Sequence, residues 1–282
     1  HLNRRKKFVR RVFSNGLFDD GGRFYGGWWQ SIPKEWRAKT RIDGLPTIEM
    51  DYSGLHIVLL YHLVGIDYWV EIGSDPYHLP SVEKSERMRL LLKQVLLSAI
   101  NAEDKADALK GIRYGIYKDL KNLGWAFEEE VGLEALINAF TKHHAPIEKY
   151  FFTGYGVKLQ NIDADIAEHV INHFTEEDLT VLCIHDSFVI QANKEMGLLD
   201  VMETAFQKAV MKIRGVGKTT ASKIKVPKTV NINSEFADQI KMKELRQKQS
   251  YIEMEKQYSR RLKEHVDRLN SKDWIKDYYR SK

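Results

Sequence analysis

Thr180-Val181-Leu182-Cys183-Ile184-His185-Asp186-Ser187-Phe188-Val189-Ile190-Gln191-Ala192 carries the clearest architectural signal in the chain. Two β-rich runs, 180–184 and 187–192, flank a two-residue polar tip, His185-Asp186, the pattern of a tight hairpin. Far upstream, 46–50 is a short strand signal ending at Asp51, after which apolar residues recur at helical spacing over 55–64. Both β signals therefore deliver an aspartate to a strand end. Side by side on one sheet, Asp51 and Asp186 could hold two Mg²⁺ ions, hard cations that prefer oxygen ligands. Two such ions about 4 Å apart can stabilise both the attacking and the leaving oxygen of a phosphoryl transfer. Without further context, an aspartate at a strand end is more often a turn or capping residue than a ligand.

Between and around these strands the periodicity predicts helices over 82–102, 105–123 and 127–152, then 164–174 after a turn at Asp163, and 196–213 after the hairpin. Residues 14–46 are rich in Gly, Pro and aromatic residues and read as an irregular, structured loop region. From Phe236 onward there is no Pro or Gly. Tyr251, Met254, Tyr258, Leu262, Val266 and Leu269 recur every three or four positions there, which predicts a long charged helix with a thin apolar seam. Such a helix either docks on a protein partner, a second copy or the body of the chain, or is a solvated surface helix.

At 282 residues and 43% hydrophobic content the chain can bury a sizeable core. The net charge of +5 comes from the segment 236–282, where 13 Lys and Arg face 8 Asp and Glu; the preceding residues balance. Six basic side chains (Arg4, Arg5, Lys6, Lys7, Arg10, Arg11) crowd the first dozen positions and suit either a phosphate backbone or a solvated terminus. The single cysteine, Cys183, excludes an internal disulfide and a thiolate zinc site, so a cytoplasmic, intracellular protein is expected. The apolar stretches fall far short of the roughly 20 residues of a membrane span, and no signal-peptide run follows the basic amino end.

The aspartates sit in motifs that resemble a known family. Thr47-Ile48-Glu49-Met50-Asp51-Tyr52-Ser53-Gly54-Leu55-His56 resembles the first palm motif of the family A DNA polymerases and the related single-subunit phage-type RNA polymerases. Val181-Leu182-Cys183-Ile184-His185-Asp186-Ser187-Phe188 resembles the third, and its Ser-Phe continuation is closer to the RNA polymerases. Gly21-Gly22-Arg23-Phe24-Tyr25 followed by Trp29-Gln30-Ser31-Ile32-Pro33 is similar to the stretch preceding the first motif in the DNA polymerases. Leu159-Gln160-Asn161-Ile162-Asp163-Ala164-Asp165-Ile166 resembles the helix start before the third. Arg89-Leu90-Leu91-Leu92-Lys93 fits the first half of the second motif, whereas Asn101-Ala102 stands where Tyr-Gly is expected. Arg89 and Lys93, at i and i+4, can both reach a triphosphate, or form the wet side of an amphipathic helix.

The resemblance covers roughly 11–213 and implies an α+β fold: a polymerase palm, a small antiparallel sheet with helices, carrying an abbreviated helical fingers insertion and a long C-terminal helix. The 135 positions from Asp51 to Asp186 are fewer than in full family members. The implied division is 1–60 for the basic segment and first part of the palm, 61–154 for fingers, 155–232 for the second part of the palm and 233–282 for the charged helix. The implied activity is template-directed nucleotidyl transfer, with a nucleic-acid primer-template and nucleoside triphosphates as partners and Mg²⁺ as cofactor. Asp51, Asp186 and the Tyr52 carbonyl would hold the metal, and Lys93 and Arg89 the phosphates. His56 and Asn101 would face the nucleotide, and Arg23, Gln160 and His185 the nucleic acid. His56 replaces the family's glutamate that blocks a 2'-hydroxyl, so deoxynucleotide use with incomplete rejection of ribonucleotides is expected.

The rival readings are a catalytically degenerate palm serving as a nucleic-acid-binding or assembly subunit, and a scaffold whose working part is the C-terminal helix. Arg214-Gly215-Val216-Gly217-Lys218-Thr219 is a plain helix-ending turn or a basic loop touching nucleic-acid phosphate rather than a P-loop, since the first glycine position of that motif is Lys212 in a helix. His143-His144 reads as a surface pair, and Trp28, Trp29, Phe24 and Tyr25 as either core or a base-stacking cluster.

Overall fold

The computed structural model describes residues 6–120, 132–215 and 230–232, with Lys256, Arg260 and Lys263 in addition. The chain opens with an antiparallel hairpin of β1 (Arg10–Phe13) and β2 (Gly21–Tyr25). A 3₁₀ turn (Trp28–Ser31) and the single-turn α1 (Lys34–Arg37) then lead to β3 (Arg41–Ile42) and β4 (Leu45–Tyr52). Next come α2 (Leu55–Leu63), α3 (Tyr68–Glu71), α4 (Glu86–Asn101) and α5 (Lys105–Gly115), the last running into a π-helical turn (Ile116–Leu120). α6 (Leu133–His143), a 3₁₀ turn (Ala145–Tyr150) and α7 (Gly156–Glu176) precede the hairpin of β5 (Leu182–Ile184) and β6 (Ser187–Gln191). α8 (Glu195–Arg214) and β7 (Val230–Ile232) complete the described elements.

The larger sheet is antiparallel in the order β3-β4-β6-β5, with β7 also on β4. β4 pairs with β6 from Thr47↔Gln191 to Asp51↔Ser187, while its other edge is covered by β3 at Leu45–Pro46 and by β7 at Met50–Tyr52. Alternation along the strands puts Ile48, Met50, Tyr52, Phe188 and Ile190 into the main core, and Ile42, Leu182 and Val189 into a smaller cluster with Trp29. Glu49 and Asp51, at the alternate positions of β4, share the second set. The mixed helical and antiparallel composition is the expected α+β class.

α2 is buried along almost its whole length, as its sequence Leu55-His56-Ile57-Val58-Leu59-Leu60-Tyr61-His62-Leu63 requires: apolar on every side, it has no face to give to water. Each fully buried aliphatic side chain there contributes roughly 2 kcal/mol. α4 is amphipathic. Ser85 caps it by accepting a hydrogen bond from the Met88 amide (3.1 Å), and Leu91, Leu92, Val95, Leu96 and Ala99 turn inward.

Several expectations need correction. Residues 14–46 contain β2, β3 and the start of β4, a 3₁₀ turn and a helical turn besides loops; Gly21 and Gly22, both at positive φ, let β2 fold tightly against β1. The helix expected over 127–152 is α6 plus a separate 3₁₀ turn: Pro146 has no amide hydrogen to continue α6, and 127–131 lie outside the described residues. Asp163 is not in a turn but buried in the middle of α7, which starts eight residues earlier than expected. α4 starts at Glu86 rather than at 82, and α5 gives way to the π-helical turn at Ile116. His144 is buried and hydrogen-bonded to the Tyr61 hydroxyl (3.0 Å), whereas its neighbour His143 is exposed. Gly215, at φ 65°, ends α8, while 216–219 and the helix expected from Phe236 lie outside the described residues apart from helical Lys256, Arg260 and Lys263. Among the described residues no helix is long and apolar enough to cross a membrane.

Candidate active site

The β5–β6 tip places Asp186. His185 adopts φ 56°, and the Ser187 hydroxyl closes the turn on the Ile184 carbonyl (3.2 Å). Asp51 pairs across the ladder with Ser187, and the Tyr52 amide donates to the Asp186 carbonyl (3.4 Å). Strand pairing thus brings together two aspartates 135 residues apart in sequence.

Both aspartates open into one cavity of about 370 Å³, lined also by Arg23, Lys34, Tyr52, His56, Tyr77, Arg89 and Lys93. Burial and the neighbouring Asp186 push the Asp51 carboxyl up to about 8, against the opposing charge of Lys93. Asp186 is raised as well, by burial first and then by Asp163. Asp51 Oδ1 is buried with no hydrogen-bond partner. Two desolvated carboxylates, one with an unpartnered oxygen, form a hard-oxygen donor set that suits Mg²⁺. Among the described residues no group of three or more His, Cys, Asp or Glu could hold a metal by itself. Carbonyl, water and phosphate oxygens would have to complete the coordination, as Mg²⁺ commonly requires.

One wall of the cavity is built on Asp163. Its carboxylate, 1% exposed, accepts a hydrogen bond from Arg23 Nε (2.7 Å) and lies 3.7 Å from His56 Nε2; Arg23 Nη2 is 3.2 Å from the same imidazole nitrogen. Burial alone would raise the Asp163 carboxyl, but the adjacent His56 and the charge and hydrogen bond of Arg23 hold it below its ordinary value. Arg23 and His56 are thereby pinned at the cavity edge. His185 stacks edge-to-face on Tyr25 (5.2 Å), and burial followed by Arg23 depresses its basicity.

The opposite wall is the N-terminal half of α4. Arg89 and Lys93 line the cavity as their spacing anticipates, and the Arg89 guanidinium sits 5.0 Å over the Tyr77 ring. Arg89 Nε also donates to Asp75 (2.6 Å). Gly54, at φ 63° before α2, lies so close to Pro76 that a Cβ would come within 2.7 Å of its Cγ. The 75–77 segment is therefore clamped between the start of α2 and Arg89.

The structure does not bring Asn101 to this cavity. Asn101 ends α4, donates to the Leu97 carbonyl (2.6 Å) and lines a separate pocket. Gln160 is half-buried on α7 and is not among the cavity's lining residues. Three residues escaped the sequence reading: Lys34, Tyr77 and Asp163. Lys34 directly follows the Gln30-to-Pro33 stretch and Asp163 lies inside the Gln160 stretch, so both were within reach; Tyr77 sits in an aperiodic loop with no signal.

No family model matches the chain, and no curated protein matches it. Among solved structures, the chain is distantly similar to the POL domain of Pol1 from M. smegmatis, in complex with DNA primer-template and dNTP. The TM-score is 0.36 at 12% identity, over 71% of this chain and 44% of that chain. The chain thus spans under half the length of that neighbour.

Proposed function

We propose that the chain is a compact nucleotidyltransferase that extends a nucleic-acid primer on a template. The carrying observation is the shared cavity of Asp51 and Asp186 with Arg89 and Lys93: two desolvated acids, one with an unpartnered oxygen, in one cavity with two cations of a single helix. A cavity that merely bound phosphate would gain nothing from two carboxylates that repel it.

The carboxylates of Asp51 and Asp186, with the Tyr52 carbonyl, would hold Mg²⁺. When bound, Mg²⁺ supplies Lewis-acid stabilisation of the phosphoryl oxygens. The primer 3'-hydroxyl displaces pyrophosphate from the nucleotide α-phosphate. Arg89 grips the triphosphate, exchanging Asp75 for a phosphate oxygen, and Lys93 neutralises the departing pyrophosphate. Arg23 and His185 lie along the nucleic-acid strand, and Gln160, outside the cavity wall, would reach only the strand beyond it. His56 and Tyr77 face the sugar. Asn101 has no role in this arrangement.

The test is incubation with a primed template, Mg²⁺ and deoxy- or ribonucleotides in turn. Incorporation by the wild type, reduced to background in Asp51→Ala and Asp186→Ala with unchanged circular dichroism, is the expected result. Wild-type-like incorporation by either variant refutes the assignment, and an inactive wild type that still binds primer-template returns the chain to a binding subunit.

A further inference from the structure

α1 has a second face. While Lys34 borders the cavity of the aspartates, Trp36, two residues on, lines a separate open groove of about 800 Å³ with Trp28, Lys7, Lys39 and Arg41. None of the groove's lining residues is acidic. The Trp36 side chain is 60% exposed, an unusual position for the largest apolar residue, and Lys39 Nζ lies 4.9 Å over its ring. Trp28 is fixed from behind. Its amide donates to the Lys6 carbonyl (3.0 Å), and its ring stands edge-to-face on buried Trp29 (6.1 Å), whose indole N–H is bonded to the Cys183 carbonyl (2.9 Å). The groove thus combines a rigid indole, an exposed indole and several cations, anchored to the strand leading into Asp186.

We infer that this groove binds single-stranded nucleic acid, with bases stacked on Trp36 and Trp28 and phosphates on Lys7, Lys39 and Arg41. Aromatic faces interleaved with cations accept unpaired bases of any sequence, and the positive charge tracks the backbone. A duplex keeps its base faces stacked inside and cannot offer them to an indole. Through α1 the groove adjoins the cavity, which suits the unpaired template. That use rests on the proposed polymerase activity; the binding itself does not.

The experiment is fluorescence anisotropy of the full chain with a labelled short oligothymidylate, without nucleotide or divalent metal. Trp36→Ala should raise Kd about tenfold, and Trp36→Phe should restore most of the affinity. The double variant Lys7→Ala/Lys39→Ala should lower the slope of log K against log salt by about 1.4, two phosphate contacts at about 0.7 each. An abasic strand of equal length, which loses the stacks on both indoles, should bind the wild type more weakly than oligothymidylate binds Trp36→Ala. Unchanged binding by Trp36→Ala, equal binding of the abasic strand, or equal competition by a blunt duplex overturns the inference. Trp36-dependent binding in a chain that extends no primer leaves the groove standing and removes the polymerase.

Discussion

Asp163 holds two cavity residues through a single carboxylate. Replacing it with Asn keeps the shape but removes the charge that faces Arg23, and breaking a buried pair of this kind costs about 3 kcal/mol or more. Asp163→Asn is therefore expected to lower the urea midpoint and to cut primer extension at least tenfold, with both readouts restored in part by Asp163→Glu. His56 is held beside the same carboxylate by Arg23 Nη2, so its imidazole stands in a fixed position where an incoming sugar would lie. The wild type should use deoxynucleotides with a measurable ribonucleotide rate, and His56→Ala should shift further toward ribonucleotides. Side-by-side incorporation rates check this, and strict exclusion of ribonucleotides by both proteins would place the gate elsewhere, with Tyr77 the next residue to substitute. The individual side chains of the cavity were legible where local pattern fixes position: a strand end for Asp51, a hairpin tip for Asp186, an i, i+4 pair for Arg89 and Lys93. Tyr77 reaches the cavity only through tertiary packing, which leaves no periodic trace.

The segment between α3 and α4 is packed on Gly54 and tied to Arg89 through Asp75. Gly54→Ala would force a residue with a Cβ into the left-handed region and against Pro76, an expected loss of about 2 kcal/mol or more in urea unfolding. Asp75→Asn should act oppositely on function. With its carboxylate neutralised, Arg89 is freer for a triphosphate, and the apparent KM for nucleotide should fall two- to fivefold while Arg89→Ala raises it. β4, β5, β6 and α2 were readable because their apolar pattern is simple, alternating or uniformly buried, whereas the short β1, β2, β3 and β7 were not read as strands. The helical middle was less so, since runs of mixed composition over 127–152 and 156–176 hide both a break at Pro146 and a start at Gly156 that only packing against neighbouring helices decides.

Among the described residues the interior carries two buried histidines that must stay neutral. His62 and His144 are each depressed to about 4, by burial first and then by Arg214 and His143 respectively. Because the unfolded chain binds these protons near pH 6.5, their neutral forms favour folding fully above that value, and stability drains away as pH falls from 6.5 toward 4. The loss should approach about 3 kcal/mol per histidine. Urea midpoints across that range should fall steeply in the wild type and less so in His62→Phe, provided the variant folds.

β4 lies between β6 on one edge and β3 with β7 on the other, and this fixes an order of events in time. The strand bearing Asp51 leaves the ribosome early, yet the partner that pairs from Thr47 to Asp51 is made nearly 140 residues later, and the one at Met50–Tyr52 later still. Such distant pairings must pay loop-closure entropy before any ladder bond returns it, so they form slowly. A nascent chain stalled before Leu182 carries Asp51 on a strand with neither Asp186 nor the β5–β6 hairpin yet made, and one stalled before Val230 leaves the end of that strand open to pairing with another chain. Maturation of the site is then a late step of synthesis, and refolding followed by primer extension should regain activity in the slowest phase, after the helices have recovered their circular dichroism.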